Sequence, residues 1–159
     1  AEVRTYGGQV EWTMEVLKSN AQNWQTDERF GQDPRKNWEL WNFDVVESFL
    51  QPRAVESDLT APYLELQISP LNQPLALMIL RPRIAFYTPL QLKLEHEVEL
   101  TAERWLTKVK VHLPQELQTG TLYGGLFACL AGESRSFLSL NPNPEERADF
   151  HRPELFVKL

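Results

Sequence analysis

LQLKLEHEVEL (residues 90–100), followed after Thr101 to Arg104 by WLTKVKVHL (residues 105–113), carries the clearest pattern in the chain. In the first segment Leu90, Leu92, Leu94, His96, Val98 and Leu100 alternate with Gln91, Lys93, Glu95, Glu97 and Glu99. In the second, Trp105, Thr107, Val109, Val111 and Leu113 stand opposite Lys108, Lys110 and His112. Successive side chains of a strand point to opposite faces, so this period of two gives one dry and one wet face, the signature of antiparallel sheet. The two segments predict a hairpin turning at 101–104, with its glutamates paired to its lysines across the strands.

The same period extends outward. VEWTMEV (10–16) sets Val10, Trp12, Met14 and Val16 against Glu11, Thr13 and Glu15, and YLELQIS (63–69) sets Leu64, Leu66 and Ile68 against Tyr63, Glu65, Gln67 and Ser69. Less polar strands are expected at FDVVESFL (43–50), LALMILR (75–81), TLYGGLFACL (121–130) and SFLSL (136–140). Turn residues join them, at Ser69 to Pro74 and at Asn141-Pro142-Asn143-Pro144. Gly124-Gly125, inside a strand pattern, marks a bulge or a close backbone approach. Helical pattern is confined to single turns at Pro114–Leu117 and Pro153–Phe156. The expectation is one domain over 1–159, an all-β antiparallel β-sandwich.

Composition narrows the classes of function. A chain of 159 residues with 42% hydrophobic and 24% charged residues is long enough to bury a core without disulfides and lies far from disorder. No run approaches the ~20 apolar residues of a membrane helix, so membrane insertion is not expected. Net charge is −6 and the cations are scattered, without the basic footprint of a nucleic-acid binder. Cys129 is the only cysteine; it forms no intramolecular disulfide and reads as a small buried hydrophobe. The chain starts at Ala1 without a signal-like apolar segment, which fits a trimmed Met or a trimmed leader, so cytoplasmic and periplasmic locations both stay open.

Catalytic and metal motifs are absent. His96, His112 and His151 follow no zinc spacing, no GxSxG elbow is present, and neither Gly-Gly pair opens a phosphate-binding helix. Asp44, Glu47 and Glu65 are candidates for a converging carboxylate set of the glycosidase kind, although acidic side chains on strand exteriors are common. The chain reads as a non-enzyme. Its five tryptophans say more. Trp12 and Trp105 sit on dry strand faces, whereas Trp24, Trp38 and Trp41 fall in the loop-like segment 20–42. Outside a strand face an indole is a flat apolar plate with a donor at its edge, suited to the CH faces and hydroxyl rims of sugars. The alternative is a loop that folds back over the sandwich and buries its own indoles.

Taken in order, LWNFDVVESFL (40–50), YLELQISPLNQ (63–73), RWLTKVKVHLPQEL (104–117), GGLFACL (124–130) and the closing NPNPEERADFHRPELFVKL (141–159) resemble the β-sandwich superfamily of family 9 carbohydrate-binding modules and the related DOMON-like domains. The resemblance spans 38–159. It implies a non-catalytic glycan-binding domain with an aromatic platform at Trp41, beside Trp38, and a sugar-binding carboxylate six residues on, at Glu47. An Asn or Arg from the following hairpin would assist, which selects Asn72 and Arg81. No Trp follows Trp105, so Phe150, His151 or Tyr123 would supply the second aromatic. The resemblance also implies structural calcium, for which Asp27, Asp33 and Asp44 are the available oxygens. Among the related sandwiches are haem-binding domains, which would use His96 with Met14 or Met78. A third alternative is a sandwich that serves as a protein-interaction scaffold.

Two geometric expectations follow from LWNFDVVESFL. In an unbroken strand Trp41 and Glu47 would lie roughly 20 Å apart, so a shared site requires Trp41 to sit in a bend before the strand. Glu47 shares its parity with Phe43, Val45 and Phe49. A carboxylate on such a face needs a partner, Arg81 or Arg83 from a neighbouring strand, or a concave surface open to a ligand.

Overall fold

The computed structural model describes residues 1–17, 23–132, 134–141 and 149–159. Within them, eleven strands occur in the order β1 (Glu2–Tyr6), β2 (Gln9–Leu17), β3 (Val45–Arg53), β4 (Tyr63–Ile68), β5 (Pro74–Arg81), β6 (Ala85–Tyr87), β7 (Lys93–Leu100), β8 (Arg104–His112), β9 (Thr121–Leu130), β10 (Ser136–Ser139) and β11 (Val157–Lys158). Every pairing is antiparallel. They form a four-stranded sheet, β1-β2-β8-β7, and a seven-stranded sheet, β10-β9-β3-β4-β5-β6, with β11 added along β9. Among the described residues the only helical turns are 3-10 turns, and no helix is long and apolar enough to cross a membrane.

The hairpin that anchors the sequence reading is β7–β8. Thr101 N donates to Arg104 O across its turn, and Lys108 bridges Glu97 (2.7 Å) and Glu99 (3.2 Å) while Lys110 reaches Glu95 (3.5 Å). The dry faces of β2 and β8 are buried as expected: Val10, Trp12, Met14 and Val16 meet Trp105, Val109 and Val111. On the β7 side the dry-face residues are only half-buried, and Leu90, ahead of the strand, and Leu100, at its end, are exposed. Against this layer the larger sheet packs Val46, Leu50, Leu64, Leu66, Ile68, Ala76, Met78, Leu126 and Ala128, which completes the intersheet core and the β-sandwich.

The larger sheet buries its other face too, and here the structure corrects the reading of β4 as half wet. All six residues of β4 and all nine of β3 are buried. Val45, Phe49, Tyr63, Leu75, Leu77, Ile79, Tyr123, Phe127 and Cys129 form a second core on this outer face, with Leu40 and Phe156 added from outside the sheet. The cover is non-strand chain, residues 23–44 and 149–156. A loop can be buried only if its backbone polar groups are paired, and buried side chains do the pairing. Asn37 Nδ2 donates to Gly31 O (2.7 Å) and Pro74 O (2.6 Å), and its Oδ1 accepts from Gly31 N (3.0 Å). Gln73 Nε2 donates to Asp27 O and Phe30 O (both 3.0 Å). Asp44 accepts from Gln25 N (2.9 Å) and Ala131 N (2.6 Å). At the other end Arg53, itself buried, donates to Pro153 O and lies 4.3 Å over the Tyr123 ring.

A second correction concerns LWNFDVVESFL. Leu40–Asn42 is a 3-10 turn entered through Glu39 in the left-handed region (φ 70°), and the strand starts only at Val45. Gly124 marks the close approach its position suggested: a Cβ there would stand 2.3 Å from Phe49 O on the neighbouring strand. The single turns after Pro114 and at Pro153 form as 3-10 turns at Gln115–Leu117 and Pro153–Leu155. Beyond Asn141, the turn read at 141–144 lies outside the described residues, as do the first three residues of the 20–42 segment.

Candidate functional site

Where the two covering segments leave the outer face open, a cavity of about 520 Å³ remains, within the range of small-molecule pockets. Its floor is the sheet itself: Glu47 and Phe49 from β3, Glu65 and Gln67 from β4, Leu77 and Ile79 from β5, and Cys129 from β9. Trp38 and Trp41 meet edge to face at 4.6 Å, and Trp38 stacks on Phe86 at 5.4 Å, so these three rings form one aromatic group in the wall. A second comprises Phe150, which stacks on Phe127 at 4.3 Å and meets Phe137 edge-on at 5.7 Å. Arg83 forms an ion pair with Asp149, and Arg135 donates to the backbone carbonyl of Trp41.

The 3-10 turn at Leu40–Asn42 supplies the bend that Trp41 needs to share a site with Glu47. The structure thus brings Trp38, Trp41 and Glu47 to one pocket, together with Phe150 and His151 of the aromatic candidates. It does not bring the others. Asn72 sits in the tight turn before β5 at φ 60°, accepting from His96 Nδ1 (2.7 Å), and Arg81 is exposed past the irregularity in the β5–β6 pairing. Tyr123 is occupied under Arg53. Trp24 leans edge-on against Trp105 (5.6 Å) and donates to Thr101 O (2.8 Å), a packing role away from the pocket.

Of the three carboxylates weighed together, Glu47 and Glu65 converge on the floor, whereas Asp44 does not line it. Neither proposed arginine pairs with Glu47, since Arg83 is held by Asp149 and Arg81 lies outside the pocket. Asp27 and Asp33 each bind the arginine two residues on, and no three His, Cys, Asp or Glu residues cluster in a metal-holding group among the described residues. Met14 and Met78 pack in the intersheet core, away from this cavity.

Sequence reasoning passed over Gln67, His151's partner Tyr63, Phe86, Phe137 and Arg135. The signal for Glu65 and Gln67 was present: a strand flanked on both sides by nearly continuous apolar runs is central, and polar residues at i and i+2 on it face a covered surface.

The electrostatics of the floor follow from burial. Glu47 and Glu65 are each 4% exposed. Glu47 faces Gln67 directly across the β3–β4 ladder, and Glu65 is two residues along on the same face. Burial lifts the Glu47 carboxyl well above the ordinary carboxylate range, the neighbouring Glu65 charge adds to this, and Arg135 opposes it. Burial likewise pushes Glu65 up to about 7, against the amide N–H that Gln67 Nε2 donates to Glu65 Oε1 at 2.7 Å. His151 Nδ1 is hydrogen bonded to the Tyr63 hydroxyl at 2.7 Å, and its Nε2 stands 3.7 Å from Glu65 Oε2. Burial lowers the His151 pKa, which favours the neutral ring at this contact over an ion pair. Near neutrality the carboxyl pair holds a proton, so it donates as well as accepts hydrogen bonds. In searches of protein families and of curated proteins, no family model and no curated protein matches this chain.

Proposed function

We propose that this chain is a non-catalytic carbohydrate-binding domain, similar to the family 9 modules, whose glycan enters the pocket on the outer face of the larger sheet. The observation that carries the reading is the meeting of Trp38, Trp41 and Glu47 in one open cavity, over a floor of buried hydrogen-bonding groups. Indole faces suit the CH faces of a sugar ring, and the Glu47, Glu65 and Gln67 groups suit its hydroxyls. A concave site of this volume fits the end or a short stretch of a glycan better than a long flat chain. The non-catalytic part rests on the carboxyl pair. Glycoside hydrolysis uses two carboxyls that flank the scissile bond, whereas Glu47 and Glu65 stand side by side on one face of adjacent strands in the floor.

A glycan array probed with the whole chain tests the reading. Wild type is expected to bind, and Trp41→Ala and Glu47→Ala to abolish the signal while keeping a cooperative unfolding transition. A blank array for wild type overturns it. Turnover of chromogenic glycosides that Glu47→Gln removes would overturn the non-catalytic part alone.

A further inference from the structure

The hydrogen-bonding deficit of the pocket is one-sided. Glu65 Oε2 and Gln67 Oε1 are buried and have no hydrogen-bond partner among the described residues, His151 Nε2 standing 3.7 Å from Glu65 Oε2, and both belong to residues of the floor. Among the described residues the other buried side-chain atoms without a hydrogen-bond partner are Trp12 Nε1, Trp105 Nε1, Ser48 Oγ and Thr107 Oγ1, on residues whose parity faces the intersheet core. As placed, Gln67 Nε2 donates to Glu65 Oε1, which leaves the Gln67 Oε1 in the floor without a donor. These two oxygens therefore call for donors from a ligand. Beside these two oxygens stands the buried Glu47 carboxyl, with the Glu65 and Arg135 charges acting on it.

Of the cations that line the cavity, Arg83 is paired with Asp149, and Arg135 donates to the Trp41 carbonyl while its charge acts on Glu47, so one cation faces two buried carboxyls. Buried carboxylates without a counter-charge are costly. What fits is a group with donors on every side, no acceptor and a positive charge. A protonated primary amine has three such donors, and aromatic faces in the wall favour a cation further.

We propose that the pocket takes its ligand amine-first: the sugar it selects is an amino sugar, whose ammonium group sits on Glu47, Glu65 and Gln67 beneath the Trp38–Trp41–Phe86 wall. This rests on the reading of the cavity as a glycan site and narrows it to one class of glycan.

Binding of a cation to a floor that holds a proton expels that proton. The charged and titratable groups facing the floor do not compete for this role. Burial favours the neutral forms of His151 and Tyr63 and pushes the Cys129 thiol up to about 12, and Arg83 pairs with Asp149. The carboxyl pair is what titrates. Affinity for an amine should therefore rise with pH as the pair ionises, the reverse of what a protonated floor donating to a neutral sugar would give.

Calorimetric titration of the full chain with D-glucosamine, N-acetyl-D-glucosamine, D-glucose and cyclohexylamine tests this, at neutral and mildly acidic pH and in two buffers of different ionisation enthalpy. D-glucosamine is expected to bind tightest, with proton release, and to weaken about tenfold from about pH 7 to about pH 5.5, a dependence that Glu65→Gln flattens. Equal or tighter binding of D-glucose or N-acetyl-D-glucosamine overturns the amine inference and leaves the carbohydrate reading standing. If cyclohexylamine matches D-glucosamine while both neutral sugars are blank, the amine inference holds and the carbohydrate reading falls. No binding by any of the four overturns both.

Discussion

The two faces of the seven-stranded sheet are built by different means. The inner face is closed by another sheet, mainly through alternating Val, Leu, Ile, Met and Trp side chains that fill volume. The outer face is closed by irregular chain, which has to be tied down by buried amides, a carboxylate and an arginine. Sheet-on-sheet packing fills its space, because both layers are regular and interdigitate. Chain draped over a sheet does not, and the remainder is a cavity with polar groups in its floor. The contrast shows where specificity is free to develop: the inner face bears the stability, and the outer face carries chemistry at the cost of keeping polar groups out of water.

This contrast can be broken on either side. The largest effect belongs to the inner face. Trp105→Ala removes a fully buried indole and the surface on which Trp24 leans, and should lower the unfolding free energy by about 3–5 kcal/mol in a denaturant titration. Next comes the tie of the cover. Asn37→Ala strands the Gly31 N–H and two carbonyls, and should cost about 2–3 kcal/mol, with hydrogen exchange rising first in the covering segment. A loss of protection spread evenly over both sheets would instead make the cover and the sandwich a single cooperative unit.

The smallest effect is the one that sharpens the contrast most. A carboxyl whose folded pKa is raised favours the folded state below its unfolded value, and that advantage is lost as pH climbs through the folded value. For Glu65, with an ordinary value of 4.5 and a folded value of about 7, stability should fall between these limits by at most about 3 kcal/mol. Urea titrations across that window should show the decline in wild type and a flatter profile in Glu65→Gln. An unchanged slope in the variant would place the charge outside the buried floor.

The sequence was most legible where one face of a strand is wet. The β7–β8 hairpin, its Glu–Lys ladder and the placement of Trp12 and Trp105 all follow from a period of two. Legibility fell on the outer face, for a physical reason. On the period alone Glu65 and Gln67 look like the solvent side of β4, because a covering segment distant in sequence leaves no mark there, and only the apolar runs on both sides mark the strand as central. The pairing of Trp41 with Glu47 was readable as a condition, a bend before the strand, but the 3-10 turn that meets it arises from Glu39 in a left-handed conformation that no local glycine announces. Asn72 and Arg81 were misplaced because loop length and strand irregularities set which end of a hairpin reaches a site, and the alternation of residues carries neither.

The ladder between β3 and β9 has a kinetic corollary. Val45 pairs with Cys129 and Arg53 with Thr121, so the central strand of the larger sheet waits for a partner nearly half the chain away. Loop closure over such a span must precede the contacts that reward it, which sets folding on the slow, millisecond-to-second side of the scale for single domains. During synthesis β3 is made long before β9, and its buried Phe49 and Glu47 stay uncovered in the interval. The residues proposed to hold a ligand are thus among the last to be enclosed.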